Sequence, residues 1–265
     1  MKRGPDGLSR IDYSPPAGAA SPSASVPADT VVYAIGDIHG RHDLLEKIQS
    51  GIAQDASRRT ARRKLVVYLG DYFSRGPASR RVLESVRSWR LPGGEEQEIV
   101  ALKGNHEDLA LRFLAGELAT GRHWFDYNGL DALADYGVQP PDRQALDDAI
   151  LEDLRQRFAT ALPSEHLAFL QSLRVSHREG GYYFVHGGIR PGVALDAQTE
   201  HDRMWIRNAF LDSNRDHGVT VIHGHSITAT PTVRHNRIGI DTGAYASGIL
   251  TCLVLEGAER CFLQT

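Results

Sequence analysis

The chain has little cysteine, no excess of positive charge and no long apolar run. Its 265 residues include only two cysteines, so no disulfide framework is available to hold the fold together. The formal net charge of −3 gives no electrostatic reason to expect a nucleic-acid polymer as partner. Apolar runs such as 249–255 are far shorter than the roughly 20 residues of a membrane-spanning helix. No apolar signal segment follows Lys2 and Arg3, and we therefore expect a cytoplasmic protein without a membrane partner.

Residues 1–29 are rich in proline, alanine, serine and glycine and contain few apolar side chains. Such a segment cannot bury enough surface to offset the entropy of ordering, which predicts a flexible N-terminal tail. The remainder, 30–265, is long enough to form one catalytic domain with a substantial core, since 41% of the chain is hydrophobic.

Three apolar runs are each followed by glycine, then by aspartate or asparagine, and then by a helical pattern. The runs are 31–35, 65–69 and 99–102, and the polar residues after them are Asp37, Asp71 and Asn105. One such unit alone is more often a simple turn. Three in one register predict an α/β fold in which the carboxyl ends of neighbouring strands bring these side chains together.

The second half of the chain returns to strands after a helical interruption. We interpret 107–173 as a helical insertion that borders the active site, with further strands at 182–185, 220–222, 237–240, 249–255 and 260–263. Within the insertion, Trp124, Phe125 and Tyr127 form either a small core or a wall that recognises substrate.

Five short motifs occur in one order and supply oxygen and nitrogen donors suited to divalent cations. They are GDIHG from Gly36, GDYFSRG from Gly70, GNHE from Gly104, HGG from His186 and GH at Gly224. With them, the chain resembles the phosphoprotein phosphatase branch of the calcineurin-like metallophosphoesterases from about Val31 onward. The segments VHGGIRPG, WIRNAFL, VIHGHS and NRIGIDTGAYASG make it similar to the short bacterial members.

The resemblance implies a fold and an activity. The expected fold is a four-layer sandwich of two mixed β-sheets flanked by helices. The expected enzyme is a phosphomonoester hydrolase of the bacterial serine/threonine protein phosphatase type, in which two divalent cations activate a water for in-line attack. Manganese is the expected metal, with iron, zinc or nickel as other options. The implied substrate is a phosphorylated protein or a small phosphoester.

The resemblance also assigns roles to individual residues. Asp37 and His39 would hold the first metal and Asp71 would bridge, while Asn105, His186 and His225 would hold the second. His106 would protonate the leaving oxygen, as the general acid. Arg75 and Arg207 would grip the phosphate oxygens, with Asn105 and Tyr245 also next to the substrate. His223 is expected to lie outside the metal site, and His123 and His201 are expected to be surface or packing residues.

One position departs from the family pattern. The usual second motif is GDxxDRG, but here Ser74 replaces the aspartate that pairs with the GNHE histidine. Losing that carboxylate should weaken His106 as a proton donor. Symmetrical dinucleoside polyphosphate hydrolases also lack the aspartate, so diadenosine tetraphosphate is an alternative substrate. A phosphoprotein-binding pseudophosphatase is a further, weaker alternative.

Overall fold

Two mixed β-sheets form the centre of the protein in the computed structural model, which describes residues 2–3, 8–13, 24–91, 96–139 and 146–265. Along the chain the strands are β1 (Lys2–Arg3), β2 (Ser9–Tyr13), β3 (Thr30–Ile35), β4 (Arg63–Tyr68), β5 (Glu96–Ala101), β6 (Ser176–Glu179), β7 (Tyr182–Val185), β8 (Thr220–His223), β9 (Thr232–Val233), β10 (Arg237–Gly239), β11 (Thr251–Glu256) and β12 (Glu259–Gln264). The first sheet has the order β1-β2-β12-β11-β3-β4-β5 and the second β6-β7-β8-β10-β9. Parallel pairing joins β3, β4 and β5 in the first sheet and β7, β8 and β10 in the second.

Helices cover the outer faces of the sheets. They are α1 (His42–Ser57), α2 (Ser79–Ser88), α3 (Asn105–Leu114), α4 (Leu118–Asp126), α5 (Gly129–Asp135), α6 (Asp148–Ala161), α7 (Ser164–Ser172), α8 (Glu200–Trp205), α9 (Asn208–Leu211) and α10 (Ala244–Ser247). No helix in the described part of the chain combines the length and apolar character needed to cross a membrane.

Strand β3 shows why the layers form. All its residues are buried, and successive side chains on a strand point to opposite faces of the sheet. Val32 and Ala34 join the apolar layer between the two sheets, whereas Val31, Tyr33 and Ile35 pack with apolar residues of α1 and α2. A strand buried on both faces needs a continuous apolar run, which is what the sequence supplies here.

The second sheet is buried on both faces in the same way. Tyr182 and Phe184 of β7 face the layer between the sheets, and Tyr183 and Val185 pack outward against Phe210 of α9 and its neighbours. The result is a helix–sheet–sheet–helix arrangement in four layers.

The N-terminal segment differs from the predicted flexible tail. Ser9–Tyr13 forms β2 and pairs antiparallel with β12, and the side chain of Leu8 is buried beneath α1. The physical reason is that β12 would otherwise be a sheet edge with unpaired backbone groups, which a short extended segment can satisfy. The prediction is therefore corrected for residues 2–3, 8–13 and 24–29, where β1 forms and Val26 is buried, while 1, 4–7 and 14–23 lie outside the described residues.

The predicted insertion is helical in its described residues and is built from α3 to α7. Its residues Trp124, Phe125 and Tyr127 do not share one environment. Trp124 and Phe125 are buried with Phe113 and Phe158 in the core, as the packing interpretation requires. Tyr127, at the end of α4, is 39% exposed and belongs to the surface instead.

Candidate metal centre

The six predicted ligands all follow parallel strands. Asp37 comes after β3, Asp71 after β4 and Asn105 after β5, whereas His186 and His225 come after β7 and β8 of the facing sheet. Because parallel strands end at the same side of a sheet, the two sheets deliver these donors to one place. The structure brings together, all buried, Asp37, His39, Asp71, Asn105, His186 and His225.

Asp71 lies between two groups of donors. One group is His39, Asp71 and His106, the other is Asp71, His186 and His225, and within each group the ligand atoms lie within 4.8 Å of one another. Oδ2 of Asp71 is 3.4 Å from Nε2 of His39, and Oδ1 is 3.4 Å from Nε2 of His186. Each carboxylate oxygen thus faces a different group, which is the arrangement a bridging ligand needs.

Asp37 and His225 present free acceptor atoms to the same region. Oδ2 of Asp37 accepts a hydrogen bond from the backbone N–H of His225 at 2.9 Å. Oδ1 of Asp37 and Nε2 of His225 are buried and have no hydrogen-bond partner among the described residues. Buried acceptors without partners are costly, and divalent cations, one for each atom, would satisfy them. The residues present therefore fit a two-cation site.

Backbone carbonyls fix how two of the histidines present their rings. Nδ1 of His39 lies 3.1 Å from the Phe73 carbonyl oxygen, and Nδ1 of His186 lies 2.9 Å from the Leu69 carbonyl oxygen. We assign the proton to Nδ1 in both, because a carbonyl can only accept. Nε2 is then unprotonated and points at Asp71, which is the usual preparation of a metal-binding imidazole. In His186, Nε2 also lies 3.0 Å from Oδ1 of the predicted ligand Asn105, so two acceptors face each other there and a cation would satisfy both.

The loops that carry the ligands adopt unusual backbone conformations. His39, Asp71 and His225 have positive φ angles of 46°, 52° and 62°. Non-glycine residues adopt this left-handed region rarely, and it persists where the surrounding structure enforces it, often at functional sites. Next to His225, a Cβ on Gly224 would lie 2.0 Å from Oδ1 of Asp37, so only glycine fits there.

Burial disfavours charge on every ligand in the absence of a cation. It raises the pKa of Asp71 to about 7, and it raises the pKa of Asp37 well above its usual range, where Asp241 and Asp71 also repel the charge. Burial also lowers the pKa of His186 to about 4 and the pKa values of His39 and His225 well below normal. The histidines are thus neutral acceptors near pH 7, and the carboxylates need a compensating positive charge.

Metal binding should therefore stabilise the protein more near pH 8 than near pH 5. Without metal, the folded state holds protons on Asp37 and Asp71 more tightly than the unfolded chain does, so its stability falls as the pH rises from about 4 through 7. Cations bind the ionised carboxylates and so restore the stability that the metal-free protein loses as the pH rises. The ligand histidines of the folded protein are neutral with and without metal between pH 5 and 8, so they do not change this difference. We expect the Tm of the manganese-loaded protein to exceed that of the chelated protein at both pH values, and this excess to be at least about 5 °C larger near pH 8 than near pH 5. An equal difference at both pH values would contradict this assignment.

Two buried carboxylates escaped the sequence analysis. Glu107 accepts backbone N–H bonds from Asp71, Tyr72 and Gly104 at 2.8, 2.8 and 2.9 Å, and its burial next to Asp71 raises its pKa to about 8. It ties the Asp71 loop to the start of α3. Asp241 follows β10, accepts from the backbone N–H of Gly243 at 2.9 Å, and has a pKa raised by burial. Both could have been found from the sequence: Glu107 is the last residue of GNHE, and Asp241 is an aspartate that directly follows a predicted strand, as Asp37 and Asp71 nearly do.

Arg75 reaches the donor groups directly. Its Nη1 donates to Nε2 of His39 at 3.2 Å, and its guanidinium carbon lies 4.8 Å above the centre of the Tyr245 ring. The Tyr245 ring meets His39 edge-on at 5.5 Å. Arg207 is exposed at the start of α9, and its positive charge acts on Asp71, His186 and His225. The structure thus brings both arginines and Tyr245 to the site.

His106 lies within the first donor group. Its ring meets His39 edge-on at 4.8 Å, and its backbone N–H donates to Oδ1 of Asp71 at 3.1 Å. Neither ring nitrogen has a hydrogen-bond partner in the described part of the chain. Burial, with the charges of His39 and Arg75 in second place, lowers the pKa of His106 well below its normal value.

Ser74 faces the helical insertion. Its side chain is fully buried, and Oγ accepts a hydrogen bond from Nε1 of Trp124 on α4 at 3.1 Å. The residue has a positive φ of 71°, and its backbone N–H donates to Oγ of Ser79 at 3.2 Å. The position that carries a carboxylate in the family pattern is therefore part of the packing between the second motif and α4.

His223 stays apart from the donor groups. Its Nδ1 lies 3.1 Å from the Gly224 carbonyl oxygen, and its ring meets Phe210 edge-on at 5.1 Å. Its neighbours are thus those of a packing residue, as the sequence analysis expected.

Known proteins provide an independent comparison. Residues 30–245 match the family model described as calcineurin-like phosphoesterase. A solved structure described as a candidate diadenosine tetraphosphatase superposes with a TM-score of 0.58 over 92% of this chain and 97% of its own, at 19% identity. These two findings confirm the predicted fold class.

Curated relatives carry more specific names. The asymmetrical bis(5′-nucleosyl)-tetraphosphatase PrpE of Bacillus cereus is 27% identical over 240 residues, which is 83% of this chain and 88% of the relative. The symmetrical bis(5′-nucleosyl)-tetraphosphatase of Aromatoleum aromaticum is 32% identical over 163 residues, or 61% of this chain. That match spans only 45% of the second relative's length.

Proposed function

Because this chain belongs to the calcineurin-like phosphoesterase family and is a phosphoester hydrolase, we propose that it cleaves a phosphoric anhydride bond of dinucleoside polyphosphates such as diadenosine tetraphosphate. The observation that carries the proposal is the surroundings of His106. The hydroxyl of Ser74 accepts a hydrogen bond from Trp124, and no carboxylate among the described residues is hydrogen-bonded to the His106 ring. A site with a weak proton donor suits a leaving group that departs as a stable anion.

Phosphate and serine differ sharply as leaving groups. A nucleotide phosphate, whose second pKa is about 6, leaves as an anion near neutral pH with little need for a proton. A serine alkoxide is far more basic and must be protonated as the bond breaks. The low pKa of His106 therefore favours anhydrides, and the names of the two curated relatives support the same choice.

Each residue has a task in this reaction. When bound, two divalent cations would neutralise the phosphate oxygens and lower the pKa of a water for in-line attack. Arg75 and Arg207 bind the remaining phosphate oxygens, because a guanidinium fork is always charged and donates to two oxygens at once. Asn105, on the side of Asp71, and Tyr245, on the side of Arg75, orient the same phosphate group. The attacking oxygen forms a bond to phosphorus while the bond from phosphorus to the bridging anhydride oxygen breaks. His106 is placed to protonate that leaving oxygen.

The metal and the location are also proposals. Aspartate, asparagine and histidine donors suit manganese, with iron, zinc and nickel as competitors, since the described donor groups contain no thiolate. The two free cysteines, both buried, are compatible with a reducing cytoplasm, where a nucleotide substrate would be available.

A protein phosphatase is the second candidate, and it is the one that the sequence analysis ranks first. It is favoured by GNHE and HGGIRPG, which resemble the bacterial protein phosphatases. Phosphorylated serine, threonine or tyrosine side chains would then be the substrates.

A substrate panel should separate the candidates. We expect kcat/KM for diadenosine tetraphosphate to exceed that for the best phosphopeptide by at least about tenfold, a gap of roughly 1.4 kcal/mol, because the anhydride needs less proton donation. The panel contains phosphoserine, phosphothreonine and phosphotyrosine peptides and is run with manganese. A tenfold preference for a phosphopeptide would establish the second candidate, and tight binding without any turnover would identify a pseudophosphatase.

A further inference from the structure

An exposed row of aromatic rings runs from one donor group to the other. We define this aromatic row as His201 and Trp205 of α8, His123 of α4, and Tyr127 just after α4. The Trp205 ring is near-parallel to His201 at 6.1 Å between centres and 18°, and near-parallel to His123 at 6.0 Å and 28°. His123 in turn meets Tyr127 edge-on at 5.0 Å.

Two members of the row, Trp205 and Tyr127, lie next to the metal centre. Trp205 meets the predicted ligand His225 edge-on, with 6.2 Å between ring centres. Tyr127 meets His106 edge-on, with 6.3 Å between ring centres. A phosphate held by the donor groups would therefore have this row beside it, along the surface formed by α4 and α8.

Most of the row is open to solvent, unlike the buried aromatic residues next to it in α4. His123, Tyr127 and His201 are exposed and Trp205 is half-buried, whereas Trp124 and Phe125 lie in the core. Trp205 also packs against the apolar core, so packing accounts for part of its burial but not for the three exposed rings beside it. Tyr245, on the Arg75 side of the centre, is different because a guanidinium already covers its ring.

We propose that the aromatic row binds a nucleobase of the substrate by stacking. Purine and pyrimidine rings stack on the faces of tryptophan, histidine and tyrosine rings, and this stacking does not require a particular base. Trp205 is two residues before Arg207, so one short segment would hold a base and an adjacent phosphate of the same nucleotide. This inference rests on the proposed function, since phosphopeptides have no base to place there.

The test compares ligands that differ only in the base. Adenosine 5′-monophosphate and ribose 5-phosphate share the sugar and the phosphate, so the ratio of their Kd values isolates the contribution of adenine. Both are titrated calorimetrically into the manganese-loaded protein. We expect the monophosphate to bind about 5- to 100-fold more tightly, the range that stacking of one base supplies.

Variants of the row should remove this preference. Trp205→Leu keeps an apolar side chain at a half-buried position but removes the ring, and Trp205→Phe restores one. We expect Trp205→Leu to bring the two Kd values to within about threefold of each other, His123→Ala to do so partly, and Trp205→Phe to recover most of the preference. The matched control is His235→Ala, which removes an exposed imidazole bonded to the Asn214 carbonyl and should keep the wild-type ratio.

The outcomes separate this inference from the proposed function. Equal binding of the two ligands to the wild type, or equal weakening of both in Trp205→Leu, would overturn the nucleobase site. If adenine is preferred through Trp205 but diadenosine tetraphosphate is not hydrolysed, the base site stands and the substrate proposal fails.

Discussion

Replacing Asp71 with asparagine should give a folded protein that holds neither cation tightly and turns over substrate roughly a thousandfold more slowly, a loss of about 4 kcal/mol of transition-state stabilisation. The reason is that the two oxygens of one carboxylate face His39 and His186, at 3.4 Å each, so one charge serves both donor groups. An amide has the same shape but no charge to share. Metal content by mass spectrometry and kcat/KM on a phosphate ester are the two measurements.

Loss of function in this variant should not come from unfolding. The asparagine oxygen can still accept the backbone N–H of His106, which Oδ1 of Asp71 accepts at 3.1 Å. Burial raises the pKa of Asp71 to about 7, so removing this carboxylate should leave the metal-free protein at least as stable as the wild type near pH 8. The matched control is Asp153→Asn on α6, where an exposed carboxylate pairs with Arg157. Two tightly held ions and intact turnover in Asp71→Asn would show that Asp71 does not bridge.

The sequence was sufficient to predict where the ligands meet, for a physical reason. Strands buried on both faces must be continuously apolar, so 31–35 and 65–69 were recognisable without a structure, and the shorter apolar run 99–102 marked the edge strand β5. A polar residue just after each such strand can only lie at the carboxyl end of the sheet. Asp37 and Asp71 were therefore predictable as neighbours, although they are far apart along the chain.

Other features depend on contacts that no local pattern reveals. Ser9–Tyr13 has little apolar character, and it forms a strand because β12 offers an edge. The edge strands β6 and β9 were also missed, because β6 is polar and β9 has only two residues, too few to show a pattern. Glu107 belongs to the GNHE motif, but its task of accepting three backbone N–H bonds becomes evident only in the structure.

The helical insertion shows the limit most clearly. Trp124 and Tyr127 are three residues apart, which puts them on the same side of a regular helix. However, α4 ends at Asp126, so Tyr127 leaves the helix and lies at the surface while Trp124 bonds to Ser74 in the core. The exact end of a helix is hard to predict from a sequence, and here it decides that Tyr127 lies at the surface, near His106, while Trp124 lies in the core.

His106→Asn should slow substrates with poor leaving groups about a hundredfold and substrates with good leaving groups only about threefold or less. General acid catalysis accelerates a reaction roughly 10²- to 10⁴-fold. Because its pKa is lowered, His106 rarely carries a proton near pH 7, so we expect an acceleration at the lower end of that range. Asparagine is of similar size and has no titratable proton. The measurement is a series of phosphate esters and anhydrides, from phosphoserine peptide to p-nitrophenyl phosphate and diadenosine tetraphosphate, with kcat/KM plotted against leaving-group pKa.

The same variant decides between two roles for this histidine. If His106 is the general acid, kcat/KM of His106→Asn should fall more steeply with leaving-group pKa than that of the wild type, while the metal content stays at the wild-type level. His106 also lies within 4.8 Å of the ligand atoms of His39 and Asp71, a position from which an imidazole could bind the first cation. In that case metal content would fall and every substrate would slow by the same factor. His235→Asn is the control for loss of an imidazole, and it should match the wild type across the whole series because His235 is exposed and bonds only to the Asn214 carbonyl among the described residues.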